Sequence, residues 1–133
     1  MLNSEQGMDD LTVAIVADKQ RITQVISNLL DNAVEFTKQG VITIRTKKKK
    51  DNNEEEIIVS VEDTGSGITP KVLPKLFTKF ATTSRTGTGL GLYICKSIVE
   101  AHGGRIWVEN NRDSRGATFA FNLPILGQTI QND

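Results

Sequence analysis

Two spacings of apolar residues organise the chain. Ile22, Val25, Ile26, Leu29, Leu30, Ala33 and Val34 recur at i, i+3, i+4, i+7, i+8, i+11 and i+12. That 3.6-residue period predicts an amphipathic helix over 18–38, with Asp18 as N-cap and Gly40 closing the region. A second helix is predicted over 89–102, stopped by Gly103-Gly104. Segments 11–17, 41–46, 57–61, 105–109 and 117–123 are rich in β-branched and aromatic residues and read as strands. A short helix is expected within 71–80. The stretch KKKKDNNEEE (47–56) reads as a solvated hairpin tip, 63–70 as a loop, 81–88 as a small, polar, mobile segment, and 111–116 as a turn. The order strand, helix, two strands, loop, helix, two strands predicts an α/β fold. It is a two-layer α/β sandwich, with a mixed, largely antiparallel sheet and helices packed on one face.

Composition narrows the function classes. The chain has 133 residues, enough for one domain. Residues 11–126 are expected to form it, with 1–10 a disordered or vector-derived N-terminus and 127–133 a frayed tail. The early start of the first strand suggests a domain cut from a longer protein. Sixteen Lys+Arg balance sixteen Asp+Glu, and aromatics are only 5%, which argues against nucleic-acid binding. The lysine run belongs to that picture, because Glu54–Glu56 follow it directly. One cysteine, Cys95, excludes an internal disulfide and suits a reducing interior. No apolar run spans a membrane and no signal peptide is evident. A cytoplasmic, monomeric domain is expected, in a parent whose membrane anchoring the sequence leaves open. Cys95 and Trp107 read as core residues, and His102 as a helix-end residue interacting with free carbonyls.

Three polar clusters stand out. At 100° per residue, Asn28, Asn32 and Glu35 fall within about 60° of one another, opposite the apolar stripe. Asparagine is a poor helix former, and a carboxamide oxygen is a hard donor suited to Mg²⁺. Asp63-Thr-Gly65-Ser-Gly67 follows a strand, where a carboxylate could accept from an exocyclic amine such as that of adenine. Gly87-Thr88-Gly89-Leu90-Gly91-Leu92 opens a helix, whose free amides and positive dipole end attract phosphate. It is neither a Walker A loop nor the dinucleotide fingerprint. Taken singly, a wet helix face and an Asp-Gly turn explain the first two without any ligand.

Taken together they resemble the ATP-binding domain of the gyrase, heat-shock-chaperone and histidine-kinase superfamily, and in particular sensor histidine kinases. The resemblance rests on NLLDNAVEFT (28–37), DTGSGI (63–68), LFTKF (76–80), GTGLGL (87–92) and GATF (116–119), in order and at matching spacing. It implies a Bergerat-type fold that binds ATP and Mg²⁺. It implies that Asn32 holds the metal, with Asn28 near the phosphates. Asp63 would bind the adenine amino group, Gly65 and Gly67 would let the chain pass close to the base, and Ile68 and Phe36 would pack on the nucleotide. Phe77 and Phe80 would anchor a lid over 81–86. Thr88 and the amides of Gly89, Leu90, Gly91 and Leu92 would hold phosphate, and Thr118 would lie near the base, acting through water. The γ-phosphoryl group would pass to a histidine on separate dimerisation and phosphotransfer helices, and then to a response regulator.

Two departures qualify the resemblance. The family commonly has a basic residue where Glu35 stands, so Lys79 or Arg85 is the candidate for offsetting charge near the phosphates. The lid is short, and Ser84 replaces its usual lysine. In hydrolysing members a glutamate stands one turn before the metal asparagine; here that position is Asn28. A serine kinase of the anti-sigma-factor type, a non-catalytic nucleotide-binding module and a basic-hairpin nucleic-acid binder are the alternatives.

Overall fold

The computed structural model describes residues 17–79, 90–112 and 114–125. The strand expected at 11–17, the lid, Phe80 and both chain ends lie outside the described residues.

The first helix, α1, runs Lys19–Phe36, and the Asp18 carboxylate accepts from the Arg21 amide as its N-cap. Two strands follow, β1 (Ile42–Asp51) and β2 (Glu54–Asp63). They are longer than the sequence implies, because the lysine tract, though exposed, is part of the ladder. Lys49 faces Glu56 and Lys50 faces Glu55 across the pair, and Lys48 forms a 3.5 Å ion pair with Glu55. Opposite charges in register favour pairing. Only Asn52 and Asn53 turn, both at positive φ (51° and 68°). Asparagine tolerates that conformation, which a two-residue hairpin of matching twist requires.

The helix expected in 71–80 is reduced to one 3₁₀ turn, Leu73–Lys75. Pro70 and Pro74 supply no amide hydrogens there, so no longer ladder builds. Next come α2 (Gly91–Ala101), β3 (Ile106–Asn110) and β4 (Ala117–Pro124). The strand order is β1-β2-β4-β3. Every pairing among the described residues is antiparallel, so the mixed character expected of the sheet does not appear within them.

Strand alternation gives the sheet two unlike faces. Val61 pairs with Phe119, Val59 with Phe121 and Ile57 with Leu123, and all point toward the helices. There they meet Val25, Leu29 and Ala33 of α1 and Cys95, Ile98 and Val99 of α2. Two expected core residues fall outside this layer. Val34 is 61% exposed, because the buried stripe is centred on Val25, Leu29 and Ala33 and position 34 lies past its edge. Trp107 pairs with Ala120 on the opposite face of the sheet, with the Arg105 guanidinium 5.6 Å from its ring centre.

His102 ties the helices together. Its Nε2 accepts from the Asp18 amide at 3.0 Å. The ring proton therefore sits on Nδ1, 2.8 Å from the Ile98 carbonyl it donates to. The imidazole is neutral in this arrangement and joins the start of α1 to the end of α2.

Candidate nucleotide site

β2 ends at Asp63, on the helix-facing side of the sheet and only 1% exposed. Its Oδ1 accepts from the amides of Gly65 (2.9 Å) and Ala117 (3.3 Å). No described residue bonds Oδ2, and no described cation pairs with the carboxylate. A buried anion without its full set of donors is costly. A carboxylate only accepts, so the unspent oxygen selects a ligand that presents an N–H.

The loop after Asp63 is folded onto the end of α1. Thr64 exchanges bonds with Val41: its amide donates to the Val41 carbonyl, and its hydroxyl accepts from the Val41 amide. The Ser66 amide donates to the Phe36 carbonyl at 3.3 Å. Gly65 lies so close to that carbonyl that a Cβ would collide with it. Gly116, at φ 98°, likewise has the Asp63 carbonyl where a side chain would begin. These close approaches place Phe36 beside the loop that carries Asp63. Ile68 turns inward to the core.

The asparagines of α1 do not lie opposite the apolar stripe, as the sequence suggests; they border it. Phe36 and Asn32 stand next to the Val25–Leu29–Ala33 line, and only Glu35 is exposed. Asn28 Nδ2 reaches 3.5 Å to the Gly91 carbonyl, linking α1 to the first turn of α2. The Asn32 amide nitrogen is buried with no hydrogen-bond partner among the described residues. The unpaired atom is a hydrogen-bond donor, which fits an acceptor such as a phosphate oxygen, while the carboxamide oxygen of the same side chain is a hard ligand of the kind Mg²⁺ takes. No three His, Cys, Asp or Glu side chains gather to hold a metal among the described residues. An ion held here would draw most of its ligands from phosphate and water.

At the start of α2, Leu90 is the N-cap with no capping side-chain bond, and the space over Gly91 is open to 4 Å. Leu92 packs partly into the core. The Lys79 ammonium stacks 5.2 Å from the Tyr93 ring centre, which keeps one cation beside this turn. Arg85, Thr88 and Gly89 lie outside the described residues. Thr118 points to the sheet face away from Asp63, and its hydroxyl donates to Asn111 Oδ1 at 2.6 Å. Of the expected site residues, the fold gathers Phe36, Asp63, Gly65 and Ile68 at the loop and Asn28 with Gly91. Glu35 has no ion-pair partner among the described residues.

Sequence reasoning passed over Asn110 and Asn111. Both bond the backbone of the Asp63–Ile68 loop through their side chains. The signal was two adjacent asparagines at a strand end, a residue type that competes for backbone groups.

Comparison with known proteins bears on the family and the fold. The family model for histidine kinase-, DNA gyrase B- and HSP90-like ATPases matches residues 17–127. The sensor protein FixL of Bradyrhizobium diazoefficiens is 46% identical over 110 residues, 83% of this chain and 22% of FixL. The sensor protein KdpD of Clostridium acetobutylicum is 44% identical over 118 residues, 84% of this chain and 13% of KdpD. The chain thus spans less than a quarter of these relatives. Among solved structures, the nucleotide-free catalytic domain of histidine kinase ThkA is 41% identical. It matches with a TM-score of 0.71 over 83% of this chain and 70% of that one. Full-length ShkA in complex with AMPPNP is 32% identical, with a TM-score of 0.69 over 86% of this chain and 23% of that one. The chain belongs to the histidine kinase-, DNA gyrase B- and HSP90-like ATPase family, and its matched relatives are sensor histidine kinases.

Proposed function

We propose that this domain binds Mg·ATP and presents the γ-phosphoryl group to a histidine on dimerisation and phosphotransfer helices elsewhere in its parent protein. The phosphohistidine then passes its phosphoryl group to an aspartate of a response regulator. The observation that carries the reading is Asp63. It is a buried carboxylate with one oxygen held by two backbone amides and the other bonded to no described residue, where a ligand N–H can reach it. Adenine offers such a group at its exocyclic amine, whereas guanine turns a carbonyl oxygen to the same place. The similar ShkA structure is a complex with AMPPNP, which supports an adenine nucleotide as the ligand.

In this reading Asp63 orients the base, and Phe36, Gly65, Gly67 and Ile68 form the walls around it. Asn32 ligates the metal through its carboxamide oxygen, and Asn28 sits one turn earlier on the phosphate side. Mg²⁺, when bound, would neutralise phosphate charge and polarise the transferring group. Thr88 and the amides of Gly89, Leu90, Gly91 and Leu92 hold phosphate at the dipole end of α2. Lys79 or Arg85 offsets the charge of Glu35 near the phosphates. The protein's contribution is positioning and charge, as in phosphoryl transfer generally. No helix among the described residues is long and apolar enough to cross a membrane. We place the domain in the cytoplasm, within a parent that a separate segment anchors or leaves free.

The test is transfer of label from γ-³²P-ATP. The phosphotransfer helices of the parent should become labelled in the presence of this domain and Mg²⁺. The product should be acid-labile and base-stable, as a phosphohistidine is. Label on serine would instead support a serine kinase of the anti-sigma-factor type. Nucleotide binding without any transfer would leave a non-catalytic module.

A further inference from the structure

Two consecutive asparagines at the end of β3 hold the Asp63 loop from both ends. Asn110 Oδ1 accepts from the Ile68 amide at 2.9 Å, and its Nδ2 donates to the Ile68 carbonyl at 2.8 Å. One side chain thereby replaces a strand's worth of pairing for that residue, and the reciprocal bonds fix which way the carboxamide faces. Asn111 Nδ2 donates to the Asp63 carbonyl at 3.0 Å and to the Arg115 carbonyl at 2.8 Å. Asn111 is itself oriented by the Thr118 hydroxyl, which donates to its Oδ1.

The loop between these grips is short of other support. Beyond the sheet ladder that carries Asp63, its bonds to described residues outside the loop are those of Thr64, Ser66 and the Asp63 carboxylate. From the geometry we infer that Asn110 and Asn111 are positioning residues for purine recognition. They clamp the Asp63 and Ile68 backbone so that the free carboxylate oxygen and the Ile68 side chain meet the base in one fixed arrangement. Thr118 acts in the same device, one bond further back. The inference rests on the proposal that Asp63 reads adenine. It adds that the pocket's affinity depends on two carboxamides that need not touch the nucleotide. Without them the loop must be ordered at each binding event, and that ordering weakens affinity.

The test compares the 133-residue chain with its Asn110→Ala, Asn110→Ser, Thr118→Val and Asp63→Asn variants, at a temperature where each is folded. Three quantities are read: hydrogen exchange of the Ile68 amide, ADP affinity, and the Mg²⁺ dependence of ATP binding. Asn110→Ala should speed Ile68 exchange and weaken ADP binding about tenfold, the effect of roughly one or two lost hydrogen bonds. It should leave the Mg²⁺ dependence unchanged, since the metal end of the site is built on α1; a general loss of fold would move both. Asn110→Ser, which keeps a donor and acceptor, should recover part of the loss. ADP affinity within twofold of wild type in Asn110→Ala, while Asp63→Asn weakens it, overturns the clamp and leaves the adenine assignment standing. Unchanged affinity in Asp63→Asn overturns both. Should Asn110→Ala not fold, Thr118→Val decides: about threefold weaker ADP binding supports the clamp, and unchanged binding overturns it.

Discussion

Asn32, Glu35 and Cys95 show how one side chain's surroundings decide its use. The Asn32 amide nitrogen is buried but bonded to no described residue, so truncation removes no hydrogen bond to any of them. Asn32→Ala should therefore keep the fold within about 1 kcal/mol. ATP binding should lose its Mg²⁺ dependence, measured by titration with and without the ion. Glu35 lies on the same helix but is exposed. Reversing its charge should tighten ATP binding by up to about tenfold, ADP less and adenosine not at all. The gain should shrink with added salt. Equal changes for all three ligands would show that Glu35 does not sense the phosphates. Cys95 is buried between the helices, its thiol donating to the Val25 carbonyl at 3.8 Å. Burial pushes its pKa up from 9.0 to about 11. The unfolded chain therefore releases this proton near pH 9, whereas the folded one holds it. The thiol's contribution is fully present below pH 9 and is lost between pH 9 and about 11, amounting to at most about 3 kcal/mol. Urea unfolding from pH 8 to 11 should show a steeper alkaline decline in wild type than in Cys95→Ala.

At the scale of elements, α1 and α2 are held by an apolar seam and by one neutral histidine. Leu29 is fully buried in that seam, and Leu29→Ala should cost about 2–5 kcal/mol. His102→Ala removes the bridge between the Asp18 amide and the Ile98 carbonyl, and should cost about 1 kcal/mol in urea unfolding. Much of this level was legible in the sequence. The 3.6-residue period located α1 to within two residues, and Asp18 was readable as its cap because a short acceptor before an apolar-periodic run satisfies free amides. The lysine tract is exposed, as expected of a solvated hairpin end, but its place in the ladder was not legible, because pairing depends on what stands opposite, here Glu55 to Ile58. The helix expected in 71–80 failed on the same ground of local context, since Pro70 and Pro74 outweigh its apolar residues. At the site, the loop glycines and Asp63 were legible because their spacing is local. Asn110 and Asn111 were not. Their partners lie 42 and 48 residues away in sequence, and only the pairing of β2 with β4 and of β4 with β3 brings them together.

For the whole molecule, the antiparallel sheet sets one apolar face against the helices and leaves Trp107 and Arg105 on the other. The candidate site lies where β2, the end of α1 and the start of α2 converge, so in the proposed reading the base, metal and phosphate contacts come from separate elements. Among the described residues, Asn28 stands one turn before Asn32, where a general base would be placed, and a carboxamide is not a useful proton acceptor. The isolated chain should hydrolyse ATP below about 1 s⁻¹ in a steady-state assay. Calorimetric titration of Mg·ATP into wild type and Asp63→Asn tests the nucleotide assignment most directly. Wild type should bind, and the variant should bind about 10- to 150-fold more weakly, as expected when a charge-assisted hydrogen bond worth about 1.5–3 kcal/mol is lost. Equal affinity in the two proteins, or no binding by wild type, would contradict it.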